Sequence, residues 1–265
     1  MLTFANAKIN IGLQITSKRP DGYHNLETIF YPVKISDAIE ILPSSSLEFK
    51  IWNTDLEPSL NNLCVQAYQL LKADYDIPPV TIHLLKNIPI GAGLGGGSSD
   101  ASATLKLLNQ YFELQISQYQ LLNYAAKLGA DCPFFIDNKP CFAHGTGTDL
   151  SPIDLSLEQY RIVVIKPPVH ISTAEAYSQV MPTPSNIDLR LAINLPIQEW
   201  KINIRNDFEF SLFEKYPVIS DIKNKLYELG AHYASMSGSG SAVYGIFDDV
   251  KGLEELNKYG QVFFA

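Results

Sequence analysis

The chain has 265 residues and 29.5 kDa, with 46% hydrophobic and 18% charged residues, enough to bury the core of one large domain or two packed ones without metals or disulfides. Its 20 Lys plus Arg against 28 Asp plus Glu leave a formal charge of −8, which removes the basic field that nucleic-acid and anionic-membrane binders rely on. Cys64, Cys132 and Cys141 show no CxxC spacing, and no apolar run approaches the roughly 18–20 residues of a membrane span, so the expectation is three reduced thiols in a cytoplasmic protein.

The first third reads as β-rich. Residues 2–13 alternate like a strand and show neither the charged start nor the apolar centre of an export signal. Residues 26–41, 47–52 and 80–85 are rich in β-branched and aromatic side chains, several set off by Ser, Pro, Asn or Asp clusters. The middle turns helical. From Ser98 to Phe112, Ala101, Leu105, Leu108 and Phe112 recur at spacings of four, three and four, one apolar helix face. Ser117 with Gln120 predicts a capping box for a second helix, and Gly129 a left-handed stop just before Asp131. A change of texture between residues 145 and 168 places a domain boundary near residue 155, giving domains 1–155 and 156–265. Beyond it, 161–165 reads as a strand, 172–181 as a helix with a Ser172…Glu175 box, and 220–229 as a helix stopped by Gly230. Residues 234–237 and 241–247 read as strands joined by Gly238–Ser239–Gly240, and 251–258 as a last helix. This order is α+β rather than a regular βαβ series.

The strongest local signal is PIGAGLGGGSSDAS at residues 89–102, with five glycines running into an amphipathic helix. Glycine at this density costs backbone entropy, and it suits a backbone that must approach a ligand closely. Successive N–H groups from Gly93 to Ser99, continued by the positive end of the helix, predict a concave site for a polyphosphate. A flexible turn capped by Ser98 or Ser99 is the plainer account. A Walker A loop needs GK[ST], but Gly96 is followed by Gly97. Gly91, Gly93 and Gly96 satisfy GxGxxG, yet several strands precede them and no βαβ series follows, against a dinucleotide fold. Protein-kinase HRD and DFG segments are absent.

Other clusters have modest explanations when taken singly: Gly238–Gly240 as a hairpin turn, Lys8 as a strand-edge charge, Asp21–Gly22 as a turn, and Asp131 as the N-cap of a short helix around Pro133. Together, AKIN at 7–10, PIGAGLGGGSSDAS at 89–102 and MSGSGSA at 236–242 resemble the GHMP small-molecule kinases. Within that superfamily, RPDGYHNLETIF at 19–30, GADCPFF at 129–135 and NDFE at 206–209 are similar to the members whose acceptor is a cytidyl-methylerythritol in the non-mevalonate route to isoprenoid precursors.

The resemblance implies a two-domain α+β kinase with its active site in the cleft between domains, transferring the ATP γ-phosphoryl group to the 2-hydroxyl of the acceptor. It implies that Asp131 orients and deprotonates that hydroxyl and that Lys8 lies between the carboxylate and the transferring group, an arrangement that keeps an acid ionised and screens phosphate charge. Gly91, Gly93, Gly95, Gly96, Gly97, Ser98 and Ser99 are implied to hold the phosphates, with Asn62 and Lys86 near adenine and ribose. For the acceptor, Asn10 is implied at the erythritol hydroxyls, Tyr23 and Tyr177 as rings sandwiching cytosine, His24 at its polar edge, and Thr173 at ribose or phosphate. Mg2+ comes with ATP chemistry, with no carboxylate cluster marking its protein ligand, and no obligatory protein partner is implied. The alternatives are another GHMP kinase of homoserine or mevalonate type, a non-catalytic nucleotide-binding protein on the same fold, and a nicotinamide-dependent dehydrogenase.

Overall fold

A long β-ribbon opens the chain in the computed structural model, which describes residues 1–178, 180–183 and 187–265. Strands β1 (Leu2–Lys18) and β2 (His24–Pro43) pair with each other and lead to β3 (Glu48–Trp52). Helix α1 (Leu63–Lys72), β4 (Val80–Leu85), α2 (Gly96–Tyr111), α3 (Gln118–Leu128) and α4 (Cys132–Asp137) follow. The rest comprises β5 (Cys141–His144), β6 (Asp149–Pro152), β7 (Arg161–Lys166), α5 (Thr173–Ser178), α6 (Leu189–Ala192), α7 (Trp200–Asn203), α8 (Phe208–Lys215), α9 (Pro217–Glu228), β8 (Tyr233–Met236), β9 (Val243–Phe247) and β10 (Gln261–Phe264). The architecture is α+β. Among the described residues no helix is long and apolar enough to cross a membrane.

The chain packs as two compact units: Met1–Ala7, Ile35–Ile90 and Gly95–Asn138 form one, and Lys8–Lys34, Gly91–Leu94 and Lys139–Ala265 form the other. These units are not consecutive halves meeting near residue 155, because β1, β2 and the glycine-rich run each supply residues to both.

In the first unit the C-terminal half of β2 pairs antiparallel with β4, from Ala38 opposite Leu85 to Pro43 opposite Val80, and β3 lies parallel to β4. The inward row of β2 reads Ile35, Asp37, Ile39 and Ile41, all buried, as strand alternation requires. The predicted apolar face of α2 is real: Ala101, Leu105 and Leu108 are fully buried, in one cluster with Ile39, Ile82, Tyr68 and Leu71. Each such leucine contributes roughly 1.5–3 kcal/mol relative to an exposed one. Helix α3 carries the expected box, with Ser117 and Gln120 bonded reciprocally. Gly129, however, is extended at φ 168° rather than left-handed, so α3 ends without a left-handed cap.

In the second unit, β10-β7-β9-β8 form an antiparallel sheet, and the N-terminal half of β2 pairs with β5 and β5 with β6. Phe208, Leu212, Ile219, Ile222 and Leu226 from α8 and α9 pack with Val163, Ile165, Ala234 and Val243 of that sheet. The predicted box before α5 is half formed. Ser172 Oγ accepts the N–H of Glu175 at 3.1 Å, but the Glu175 carboxylate turns instead to Lys215 and Tyr216. The helix expected to Met181 ends at Ser178, and Gln179 lies outside the described residues. The last predicted helix is a 3-10 turn at Glu254–Tyr259, followed by β10, which was not expected.

Candidate active site

In the second unit three distant segments meet around Gly93. Lys8 and Asn10, two apart on β1, point to the same face, and both are buried. Lys8 Nζ donates to Asn10 Oδ1 and to Gly93 O at 3.2 Å, and it sits 4.9 Å from the centre of the Phe30 ring. Asn10 Nδ2 donates to Thr28 Oγ1 at 3.0 Å, while the Asn10 N–H donates to Ser237 Oγ at 3.2 Å. Ser237 Oγ in turn donates to Gly93 O at 2.9 Å. The approach leaves no room for a side chain: a Cβ on Gly93 would lie 2.0 Å from Ser237 O, and the residue has φ +76°. Thr28 and Phe30, on β2, were not expected here, although both fall in the RPDGYHNLETIF segment, at alternate positions of a strand.

The NDFE segment braces this turn from behind. Asn206 Nδ2 donates to Met236 O and Gly238 O at 2.9 and 2.8 Å, and Glu209 Oε1 accepts from Ser235 Oγ and Met236 N at 3.0 and 2.8 Å. A buried amide bridging two carbonyls fixes the chain before and after Ser237, since an unmade bond there costs the full desolvation of each group.

In the first unit the glycine-rich run becomes α2 at Gly96, two residues ahead of the predicted start. Gly95, not a serine, is the N-cap, with φ 70° in the left-handed region. The first intrahelical bond is Ser99 N–H to Gly95 O at 2.9 Å. The N–H groups of Gly96, Gly97 and Ser98 come before it and have no carbonyl one turn back to reach, which makes them anion donors at the positive end of a sixteen-residue helix. The Ser99 hydroxyl donates to Asn6 O at 2.6 Å, so it fastens α2 to β1. Asp131 stands close to this helix start. It precedes α4 with helical backbone angles and makes no side-chain capping bond. Gly129, two residues earlier, would place a Cβ 3.3 Å from Cys132 Sγ and 4.0 Å from Ser98 Oγ, and Ser102 Oγ donates to Cys132 O at 2.7 Å. Burial pushes the Cys132 thiol up to about 11, so it stays protonated beside these groups.

Two expected nucleotide contacts look different in place. Asn62 caps α1, its Oδ1 accepting the Cys64 N–H at 2.9 Å. Lys86 is 6% exposed and is held between the carboxylates of Asp37 and Asp100. A contact with ribose or adenine is therefore not what Lys86 is arranged to make.

The acceptor candidates are partly brought together. His24 stacks on Tyr177 with centroids 5.0 Å apart and planes 25° from parallel, and Tyr177 meets Phe208 edge-on at 4.9 Å. Tyr23 is 67% exposed, at the end of the turn that Arg19 and Asp21 close. His24, expected at the polar edge of a base, thus stacks on Tyr177 itself, too close for a ring to enter between these two. Burial, assisted by the Lys18 charge, pushes His24 below its ordinary value, so its neutral ring offers one donor and one acceptor nitrogen. Thr173, the first residue of α5, is exposed.

Residues 62–145 match the family described as GHMP kinases N terminal domain, and residues 192–262 match GHMP kinases C terminal. A 4-diphosphocytidyl-2-C-methyl-D-erythritol kinase of Bacteroides thetaiotaomicron is 53% identical over 268 residues, an alignment covering 99% of this chain and 98% of that protein. This chain belongs to the GHMP kinases. As a GHMP kinase it is an ATP-dependent small-molecule kinase, which sets aside the dehydrogenase and the non-catalytic nucleotide binder. A crystal structure of 4-(cytidine 5'-diphospho)-2C-methyl-D-erythritol kinase superimposes on this kinase with a TM-score of 0.85 at 31% identity, covering 100% of this chain and 98% of the other. A homoserine kinase from Cytophaga hutchinsonii shares the fold, with a TM-score of 0.70 at 15% identity over 98% and 94% of the two chains.

Proposed function

We propose that the chain transfers the γ-phosphoryl group of ATP to the 2-hydroxyl of 4-diphosphocytidyl-2-C-methyl-D-erythritol, and that it does so in the cytoplasm, with its three cysteines buried and outside any disulfide. The observation that carries the choice of acceptor is the identity over almost the whole chain to the Bacteroides protein of that name, because the phosphate loop alone would suit any GHMP kinase. In this reading the amides of Gly96, Gly97 and Ser98 bind the phosphates. Lys8 offsets the charge of the transferring group. Asp131 aligns the acceptor hydroxyl and takes its proton as the oxygen bonds to phosphorus and the bond from phosphorus to the leaving ADP oxygen breaks. Asn10 holds erythritol hydroxyls, and His24 reads the cytosine edge from its seat against Tyr177. Mg2+ accompanies ATP and neutralises phosphate charge; such ions keep several waters and lean on the phosphates themselves. Among the described residues, no three His, Cys, Asp or Glu side chains cluster as a metal site.

The test is ADP release by the purified chain with the cytidyl acceptor, homoserine and mevalonate in turn. Turnover with the first and background with the others is expected; turnover with homoserine or mevalonate instead would move the acceptor assignment.

A further inference from the structure

Three charged side chains with no part in the proposed transfer are buried together in the first unit: Asp37 at 0%, Asp100 at 2% and Lys86 at 6% exposure. Asp37 stands in the inward row of β2 between Ile35 and Ile39, where an apolar side chain would be easy to bury and a carboxylate is not. One ammonium cannot neutralise two carboxylates, and buried ion clusters are commonly no more stable than apolar residues of the same volume. Stability alone does not account for the cluster.

Its bonds account for it better. Asp37 Oδ1 accepts the backbone N–H of Asn87 and, at 2.8 Å, that of Ile88, while Asp37 Oδ2 accepts from Lys86 Nζ. Residues 86–88 are the last before the glycine-rich run. Lys86 Nζ also donates to Asp100 Oδ2 at 2.7 Å, and Asp100 follows Ser99 in the opening of α2. Gly96 completes the link: a Cβ there would lie 3.0 Å from Ile88 Cγ2 and 3.3 Å from Lys86 Nζ. The first residue of α2 therefore rests on the same two residues that Asp37 fixes.

We propose that Asp37, Lys86 and Asp100 form a buried staple joining the two ends of the glycine-rich run, and that it positions the amides of Gly96, Gly97 and Ser98 for the ATP phosphates. This rests on the reading of the α2 start as the phosphate site. A run with five glycines has more conformational freedom than any other part of the chain, and donors fixed in advance bind an anion without reorganising. The three are positioning residues that act through the backbone. The staple explains why Lys86 is drawn away from a nucleotide contact.

The experiment measures ATP affinity by titration calorimetry, and the Michaelis constants for ATP and for the cytidyl acceptor, in wild type, Asp37→Ala, Asp37→Asn and Asp100→Asn. Asp37→Ala should weaken ATP binding by about tenfold or more, the scale of a lost charge-assisted bond, with the acceptor constant within about twofold. Asp37→Asn keeps an oxygen for the Asn87 and Ile88 amides and should recover most of that loss. If Asp37→Ala does not fold, Asp100→Asn, nearly the same shape, should still raise the ATP constant alone, by about threefold or more, in assays at about pH 8, where the Asp100 carboxyl is ionised and asparagine removes its charge. Unchanged ATP affinity in the folded variants, or ATP and acceptor constants rising together, would overturn the staple. Calorimetry keeps this distinct from the function itself: a wild type that binds ATP but ignores the cytidyl acceptor would contradict the proposed acceptor and leave the staple readable.

Discussion

At Asp131 the backbone, not a capping bond, sets the start of α4, so an asparagine can take its place without loosening that helix. In the proposed mechanism Asp131→Asn removes the proton acceptor without removing a helix cap. Turnover should fall by about 10²–10⁴-fold with ATP affinity unchanged in calorimetry; near-normal turnover would deny Asp131 its role. Asp100 makes a different prediction, about stability. Burial pushes its carboxyl from 3.8 up to about 7, against the pull of Lys86 and with the push of Asp37. Lys86 is its one bonded donor, and Asp100 Oδ1 has no partner among the described residues. The Cys64 thiol, the other titratable group beside it, is driven well above neutrality by burial and stays uncharged. Because the folded form holds this proton where the unfolded chain has lost it, the native state binds more protons between roughly pH 4 and 7, and stability must decline as pH rises through that window. Asparagine mimics the neutral acid at every pH. The melting temperature of Asp100→Asn should therefore gain on wild type between about pH 5 and about pH 8; a constant difference would mean that Asp100 does not carry the proton.

Among the elements, those whose ends have their own chemistry are legible in the sequence. Helix α3 is announced by Ser117 and Gln120, and the β8–β9 pair by a Gly-Ser-Gly link between apolar strands. Helix α1 is not legible: its cap, Asn62, looks like any polar loop residue until the amide of Cys64 is seen to reach it. The start of α2 is misjudged by two residues for a related reason. Glycines predict no helix, yet here Gly96 and Gly97 are its first turn, with Gly95 left-handed before them. A β-branched side chain tolerates that conformation poorly. Gly95→Val should turn the helix opening away from the phosphates and weaken ATP binding by about tenfold or more, with the melting temperature nearly kept. ATP affinity equal to wild type in calorimetry would take this helix end out of the nucleotide site.

For the whole molecule, the candidate site is legible where function demands rare residue combinations and obscure where ordinary residues lend support. Lys8, Asn10, Gly93 and Ser237 fall in segments too unusual to be chance, and they do meet. Thr28 and Asp37 look like plain strand residues, although an aspartate in the inward row of an alternating strand was a signal open to reading. The stack of His24 on Tyr177 was not foreseen, because spacing says which residues are near and not which rings touch. Stacking tolerates any base, whereas a hydrogen-bonded edge discriminates, so His24→Ala should narrow the preference for a cytidyl over a uridyl acceptor, and Tyr177→Ala should raise the Michaelis constants for both. The most direct measurement is kcat/KM of the wild-type chain for the cytidyl acceptor and for methylerythritol phosphate without the nucleotide. Binding energy from the remote base holds the hydroxyl at Asp131, so the nucleotide-free acceptor should be used about 10³-fold less efficiently or worse; equal efficiency with the two acceptors would contradict the account.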